Sequence, residues 1–334
     1  MILIVANEFD PHVDAVIFAL REIGEEQFMR IDLETALHKF DFSIRFGQDR
    51  FLNWEIRSKA VPQLNVNNQS LSAVWWRRSS SQFRTDHLTL PRSETLDSVE
   101  AYWKLRFLLE SIDPAFYPLG HPLVMRSAEN KIKQLKVAED CGFDIPETVL
   151  SNRREIILDF LSDKETAVVK PFKSVVVQEK DSDQERSFKT AVCSTAEIKE
   201  LITPDQPVSL LVQNLVEKVA DIRVTVFNEC IIPCRIETRN LPPGEVDWRP
   251  DTFSFEHKIS EIPDALKNKI RLFLNTMGLC SGYFDFGLDE AGKYWFFECN
   301  PNAQWLWIEV KTGYPIAIEV ARQLTKSSEF RTRS

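Results

Sequence analysis

The sequence predicts an α/β chain folded in more than one lobe, and two stretches carry most of that reading. Residues 2–6 form a short continuous apolar run, as expected of a buried parallel strand. Helical spacing follows over 13–23 (Val13, Val16, Ile17, Leu20) up to Gly24, and 28–31 reads as a second strand. A β-α-β opening of this kind builds a small open α/β layer. Near the other end, YFDFGLDEAGKYWFFECNPNAQW (283–305) reads as a β-hairpin, with strand-like segments 283–288 and 294–298 around a turn containing Gly292. At 334 residues the chain is long enough to bury a substantial core.

Between these ends the elements follow in order. Residues 42–72 alternate and carry turn residues (Asn65, Asn67, Asn68), which suits antiparallel strands, and 73–78 (AVWWRR) is a strand ending in two arginines. A polar stretch, 79–92, leads into a helical pattern over 96–110. Three prolines and Gly120 interrupt the chain at 113–122, placing a boundary there. We therefore expect an N-terminal α/β domain over 1–120, a central lobe over 121–205 and a C-terminal lobe over 206–334. One helix is expected over 127–141, stopped by Gly142 and Pro146, then a strand over 167–172 ending in Lys170. Residues 175–193 look like a hairpin with a charged tip at 179–186. Residues 210–216 form an apolar strand, and 223–227 with 230–236 a further hairpin. A Pro/Gly-bearing loop at 241–251, an amphipathic helix at 264–277 and a last helix at 316–324 complete the chain.

Composition excludes several classes. A net charge of −9 lacks the basic footprint of a nucleic-acid or anionic-membrane binder. No apolar run reaches membrane-spanning length, and MILIVANEFD reads as a first strand, not a signal peptide. The six cysteines are scattered without a CxxC pair, which predicts reduced, buried thiols and a cytoplasmic setting.

The chemistry-bearing residues concentrate in the 283–305 hairpin. Asp285, Glu298 and Asn300 fall at the end of a sheet, and Glu298 and Asn300, two apart, face the same way in an extended segment. Hard oxygen donors converging like this suit Mg²⁺, which also takes waters and substrate phosphates; an acidic hairpin edge is the alternative. Upstream, Lys131 lies on a helix, Lys170 ends a strand as VVKP, and Gln213, Asn214, Leu215 and Val216 close an apolar run before Asp221, Ile222 and Arg223. Arg235 ends the next strand. Taken singly, each is compatible with a surface charge, and Glu237 is a ready partner for Arg223 or Arg235.

Their order resembles the ATP-grasp superfamily over residues 120–325. The resemblance implies an ATP-grasp fold with an N-terminal open α/β domain, a central lobe and a C-terminal lobe, and ATP and Mg²⁺ as cofactors. It also implies that Lys131 and Lys170 contact the ATP phosphates, that 213–216 meets the adenine, that Asp221 lies near the ribose, and that Asp285, Glu298 and Asn300 hold magnesium. Arg235, with Arg223 and Lys170, would serve the transferring phosphoryl group or acyl phosphate. A departure is the run after Lys170, FKSVVVQEKDSDQERSFKTAV, where many members carry a glycine-rich lid and this chain has no glycine.

Finer features narrow the match. The opening MILIVANEFDPHVDAVIFAL, FMRIDLE, VWWRR, ADIRVTVF, DWR (247–249) and FFECNPNAQWLWIE together resemble the microviridin-type maturases that make graspetides. The resemblance implies an ADP-forming ligase that joins Asp or Glu side chains of a ribosomal precursor peptide to Ser/Thr hydroxyls or Lys amines; the alternatives are an ATP-grasp ligase adding a free amino acid to a peptide or protein, and a non-catalytic nucleotide-binding protein. Such an enzyme binds leader and core peptide and forms homodimers. The candidates for contacting peptide are Arg77, Arg78, Arg239 and Arg249. Trp75, Trp76, Trp305 and Trp307 read as lobe packing. NPNAQW has Ala303 where glycine is usual, which is acceptable only if the backbone there is not left-handed.

Overall fold

A computed structural model describes residues 1–47, 52–77, 96–172, 176–178, 185–187, 190–203, 209–238 and 255–329, with the backbone alone at 176–178, 185–187 and 327–329. Arg78, Arg239, Arg249, the 179–184 tip and the 241–251 loop lie outside the described residues.

The chain opens with β1 (Ile2–Val5), α1 (Pro11–Glu22) and β2 (Phe28–Ile31). α1 starts where Asp10 accepts from the His12 amide and Pro11 presets the first turn, and it buries Val13, Val16, Ala19 and Leu20. α2 (Ala36–Lys39) precedes β3 (Phe40–Phe46), β4 (Leu52–Ser58) and β5 (Asn65–Asn67), an antiparallel meander. β6 (Ala73–Trp76) then returns to pair parallel with β1, giving the order β2-β1-β6. α3 (Leu96–Glu110) covers this sheet with Tyr102, Leu105 and Leu109.

Two helices follow where one was expected. α4 (Pro122–Ala128) and α5 (Lys131–Asp140) are split at Glu129 and Asn130, because the Asn130 side chain accepts from the Lys133 amide and starts a new helix. The central sheet is antiparallel, ordered β11-β8-β12-β7, from β7 (Thr148–Ser151), β8 (Thr166–Lys170), β11 (Ala191–Ser194) and β12 (Leu210–Gln213). α6 (Arg154–Phe160) and α7 (Thr195–Leu201) pack on it, the latter started by a Ser194/Glu197 capping box. β9 (Val176–Gln178) and β10 (Glu185–Ser187) pair antiparallel, as the charged hairpin was expected to.

The C-terminal sheet has five antiparallel strands, ordered β15-β14-β13-β16-β17: β13 (Lys218–Phe227), β14 (Cys230–Glu237), β15 (His257–Ile259), β16 (Ser281–Asp289) and β17 (Tyr294–Asn300). One face is covered by α8 (Asp264–Met277) through Leu266, Ile270, Phe273 and Leu274, and by a stack of Phe143, Phe284, Phe286 and Phe296. Its other face meets α9 (Leu306–Thr312), α10 (Ile316–Glu329) and the N-terminal sheet in one apolar cluster. That cluster joins Ile4, Leu20 and Trp75 to Phe227, Tyr283, Trp305, Ile308 and Leu324. Trp75 and Trp76 are buried as expected, and the six cysteines are unpaired. No helix among the described residues is long and apolar enough to cross a membrane.

Candidate functional site

A cavity of about 840 Å³ lies between the central and C-terminal sheets, walled on one side by α5. It collects Lys131, Lys170, Gln213, Asn214, Leu215, Val216, Asp221, Asp285, Glu298 and Asn300 in one place, though they span 170 positions of sequence.

Lys131 is the first residue of α5, so its side chain leaves the helix at the cavity edge. Its Nζ donates to the Pro171 carbonyl (3.3 Å) and stands 3.7 Å from Glu298 Oε2. Lys170 ends β8; its Nζ donates to Gln213 Oε1 (2.6 Å) and lies 4.9 Å from the centre of the Phe297 ring. Gln213 is oriented in turn by donating to Thr148 Oγ1 (2.8 Å). β12 ends at Gln213, three residues short of the expected strand. Residues 214–217 then cross from the central sheet to the C-terminal one, so they leave the ladder and turn toward the cavity.

The acids meet by register. Asp285 on β16 lies directly opposite Glu298 on β17, and one step on, Phe286 pairs with Phe296, so Phe297 is a bulged extra residue. The bulge turns the Phe297 ring into the cavity beneath Lys170. Two carboxylates facing each other across a strand pair repel. Here Arg223 Nη1 donates to Asp285 Oδ1 (2.5 Å), Lys131 faces Glu298, and Asn300 Nδ2 donates to Glu298 Oε1 (3.2 Å). No group of three His, Cys, Asp or Glu that could hold a metal occurs among the described residues. Two carboxylates and one amide oxygen remain a donor set that fits Mg²⁺, since that ion keeps waters and takes phosphate oxygens.

Asp221 is buried, its carboxylate accepting from Lys218 Nζ (2.6 and 2.5 Å) and Thr238 Oγ1 (3.0 Å). Burial pushes its pKa up, and the Lys218 charge opposes that rise. Arg223, buried and paired with Asp285, and Arg235, which donates to Glu237 across their shared strand face, do not line the cavity.

Arg77, expected on a peptide groove, is instead interior, with 1% of its surface exposed. Its guanidinium pairs with Asp10 (3.2 Å) and donates to Asn302 Oδ1 and the Ala303 carbonyl (both 2.8 Å). The Trp305 amide donates to His12 Nε2 (3.1 Å), which leaves the His12 proton on Nδ1, facing Asp10 Oδ1 at 2.9 Å. Burial would raise the Asp10 pKa, but His12 and Arg77 together hold it at about 2. Arg77, directly after β6, thus locks the NPNAQW segment to the N-terminal sheet. Ala303 does not have a positive φ; among the described residues Asn228 is the non-glycine that does. The methyl group fits, buried at 5% exposure.

Lys218, Phe297 and Gln134 are polar or aromatic cavity residues that escaped the sequence reading. Lys218 and Asp221 are three apart, a spacing that puts strand residues on opposite faces; a register shift between Lys218 and Ala220 brings them together. Phe297 is the bulge itself. Gln134 had one signal, a polar residue at a buried helix position one turn after Lys131.

A four-stranded and a five-stranded antiparallel sheet closing on a cleft, lysines from one side and acids from the other, define the ATP-grasp fold. Solved structures agree over the whole chain. The macrocyclase MdnC of Microcystis aeruginosa MRC, bound with precursor peptide MdnA, matches with a TM-score of 0.80 and 22% identity, covering 98% of this chain and 100% of that one. A Chryseobacterium gregarium RiPP-associated ATP-grasp ligase, in complex with ADP and a leader and core peptide, also matches at 0.80 and 22%, covering 100% and 97%. The ATP-grasp ligase PsnB, complexed with minimal precursor, Mg and ADP, matches at 0.68 and 17%, covering 98% and 97%. No protein-family model matches the chain, and no curated protein sequence matches it.

Proposed function

We propose that this chain is an ADP-forming ligase that macrocyclises a ribosomal precursor peptide. The observation that carries the proposal is the single cavity in which Lys131 and Lys170 face Asp285, Glu298 and Asn300. Such a constellation suits phosphoryl transfer, where negative charge on phosphate oxygens must be neutralised by fixed cations. Magnesium, when bound at the two carboxylates and the amide, would supply positive charge to the phosphates. Lys131 and Lys170 would bind phosphate oxygens, residues 213–216 the base, and Phe297 would form the cavity floor. Arg223 holds Asp285 in place; Arg235 is our candidate for meeting the acyl phosphate, with Glu237 as its resting partner.

The chemistry follows in two balanced steps. An Asp or Glu carboxylate oxygen of the peptide bonds to the γ-phosphorus as the β,γ-bridging bond breaks and ADP leaves. A peptide hydroxyl or amine then attacks the acyl carbon, phosphate departs with the carboxylate oxygen, and the nucleophile's proton goes to solvent. The resemblance of FFECNPNAQWLWIE to graspetide maturases, and peptide-bound neighbours of the same fold, support a peptide as substrate. Co-expression with a neighbouring short precursor tests the reading by mass spectrometry. Loss of one water per linkage is expected. An unchanged peptide mass overturns macrocyclisation, and a gain of mass points instead to addition of a free amino acid.

A further inference from the structure

Among the described residues β17 is the edge strand of the C-terminal sheet, so the outward amides at its C-terminal end have no neighbouring strand there to hold them. Gln134 takes that place. Its Oε1 accepts from the Cys299 amide (3.0 Å) and its Nε2 donates to the Cys299 carbonyl (2.8 Å), a two-point clamp on one residue. The other Nε2 hydrogen goes to the Ala128 carbonyl (2.7 Å), at the end of α4. Gln134 is 5% exposed and Cys299 1%. Both amide hydrogens are used on backbone, so Gln134 has none left to give a ligand, although it borders the cavity.

Cys299 lies between Glu298 and Asn300, and Gln134 lies one turn beyond Lys131 on α5. One side chain therefore joins the helix that carries a phosphate-facing lysine to the strand that carries two cation donors. Rotating the 298–299 or 299–300 peptide would swing Glu298 and Asn300 away from Asp285, and the clamp forbids both rotations. We infer that Gln134 is a positioning residue for the cation site, acting through the Cys299 backbone to hold Glu298 and Asn300 toward Asp285. The inference rests on the nucleotide reading above, and goes beyond it by naming what sets the geometry of the cation donors.

Groups that orient ligands without touching the ion are typically worth 10–100-fold in metal affinity. Titration calorimetry of the purified protein with ADP, with and without Mg²⁺, gives the readout, with unfolding curves recorded in parallel. In Gln134→Met, which keeps side-chain volume, ADP affinity without Mg²⁺ should stay within about twofold, while the Mg²⁺-dependent gain shrinks by about tenfold or more. Gln134→Glu, which retains the acceptor for the Cys299 amide but turns an acceptor on two carbonyls, should do the same and serves if the Met variant does not fold. An undiminished Mg²⁺-dependent gain overturns the inference. An equal fall with and without Mg²⁺ also overturns it, since a purely structural glutamine would behave that way. A wild-type protein that binds no ADP sinks the nucleotide reading itself, and this inference with it.

Discussion

At the scale of single residues, function concentrates on side chains whose surroundings differ from those of ordinary surface charges. Lys170 is aimed by Gln213 and backed by an aromatic ring, and Glu298 is held between Lys131 and Asn300. Replacing Lys170 by Met or Glu298 by Gln removes a charge from a preorganised site, and each should lower turnover by at least about 10²-fold. Both variants should unfold at the wild-type denaturant concentration within error, because neither side chain is core. Normal ADP release from either one would remove that residue from the site. Ala303 gives the converse case. With φ outside the left-handed region, glycine there gains unfolded-chain entropy and loses a buried methyl, so Ala303→Gly should cost about 1–2 kcal/mol in urea unfolding. A stabilised Gly variant would show that the position is strained after all.

Elements impose constraints that no residue carries alone. A Cβ added at Gly287 on β16 would stand 2.7 Å from Phe297 Cζ and 3.0 Å from its Cε2. Gly287→Ala must therefore displace the ring beneath Lys170, and ADP affinity should fall about tenfold, equal to about 1.4 kcal/mol, the lower range of overpacking. Unchanged binding would mean that the ring is not the floor of the nucleotide site. The lock between the N-terminal sheet and the NPNAQW segment has an acid signature. The Asp10 pKa is about 2 in the folded chain against an ordinary 3.8, so its ionised form is favoured by folding. That contribution, about 2 kcal/mol, is complete above the unfolded value and is lost as pH falls through about 2. Wild-type stability should therefore drop between pH 4 and 2 by more than that of Asp10→Asn. Parallel curves for the two proteins would exclude the lock as the cause.

Over the whole molecule, the apolar clusters are unequal. The N-terminal and C-terminal sheets share one cluster through Trp75, Phe227 and Trp305, whereas the central sheet rests on a small one around Ile157, Val169, Ile198 and Val212. Regions with few buried apolar contacts open first. Hydrogen exchange should be faster in β8 and β12 than in β13 and β16, and bound ADP should slow it selectively in β8 and β12, whose ends line the cavity. Uniform protection across all sheets would argue that the central sheet is not an independent unit of opening.

Much of this architecture was legible from residue order. Apolar periodicity located most strands and about half of the helices, α8 in full, because burial of one face writes a period into the sequence, whereas the short helices α2, α4, α6, α7 and α9 carry too few turns to show one. The spacing of Glu298 and Asn300 announced a shared face, and the hydrophobic runs on either side announced a sheet. Chain order also brought Lys131, Lys170 and Asp285 under suspicion. Four things were decided only in three dimensions. Asn130 broke one expected helix into two and put Lys131 at a helix start. The register shift near Val219 turned Lys218 toward Asp221. The bulge at Phe297 supplied the cavity floor. Burial of Arg77 made it a lock between sheets and removed it from any surface. Local patterns determine which faces are apolar, since that depends on neighbours two to four residues away. Where a polar side chain ends up depends on register and on partners hundreds of residues distant, such as Asn302 for Arg77, and only the packed chain brings those together.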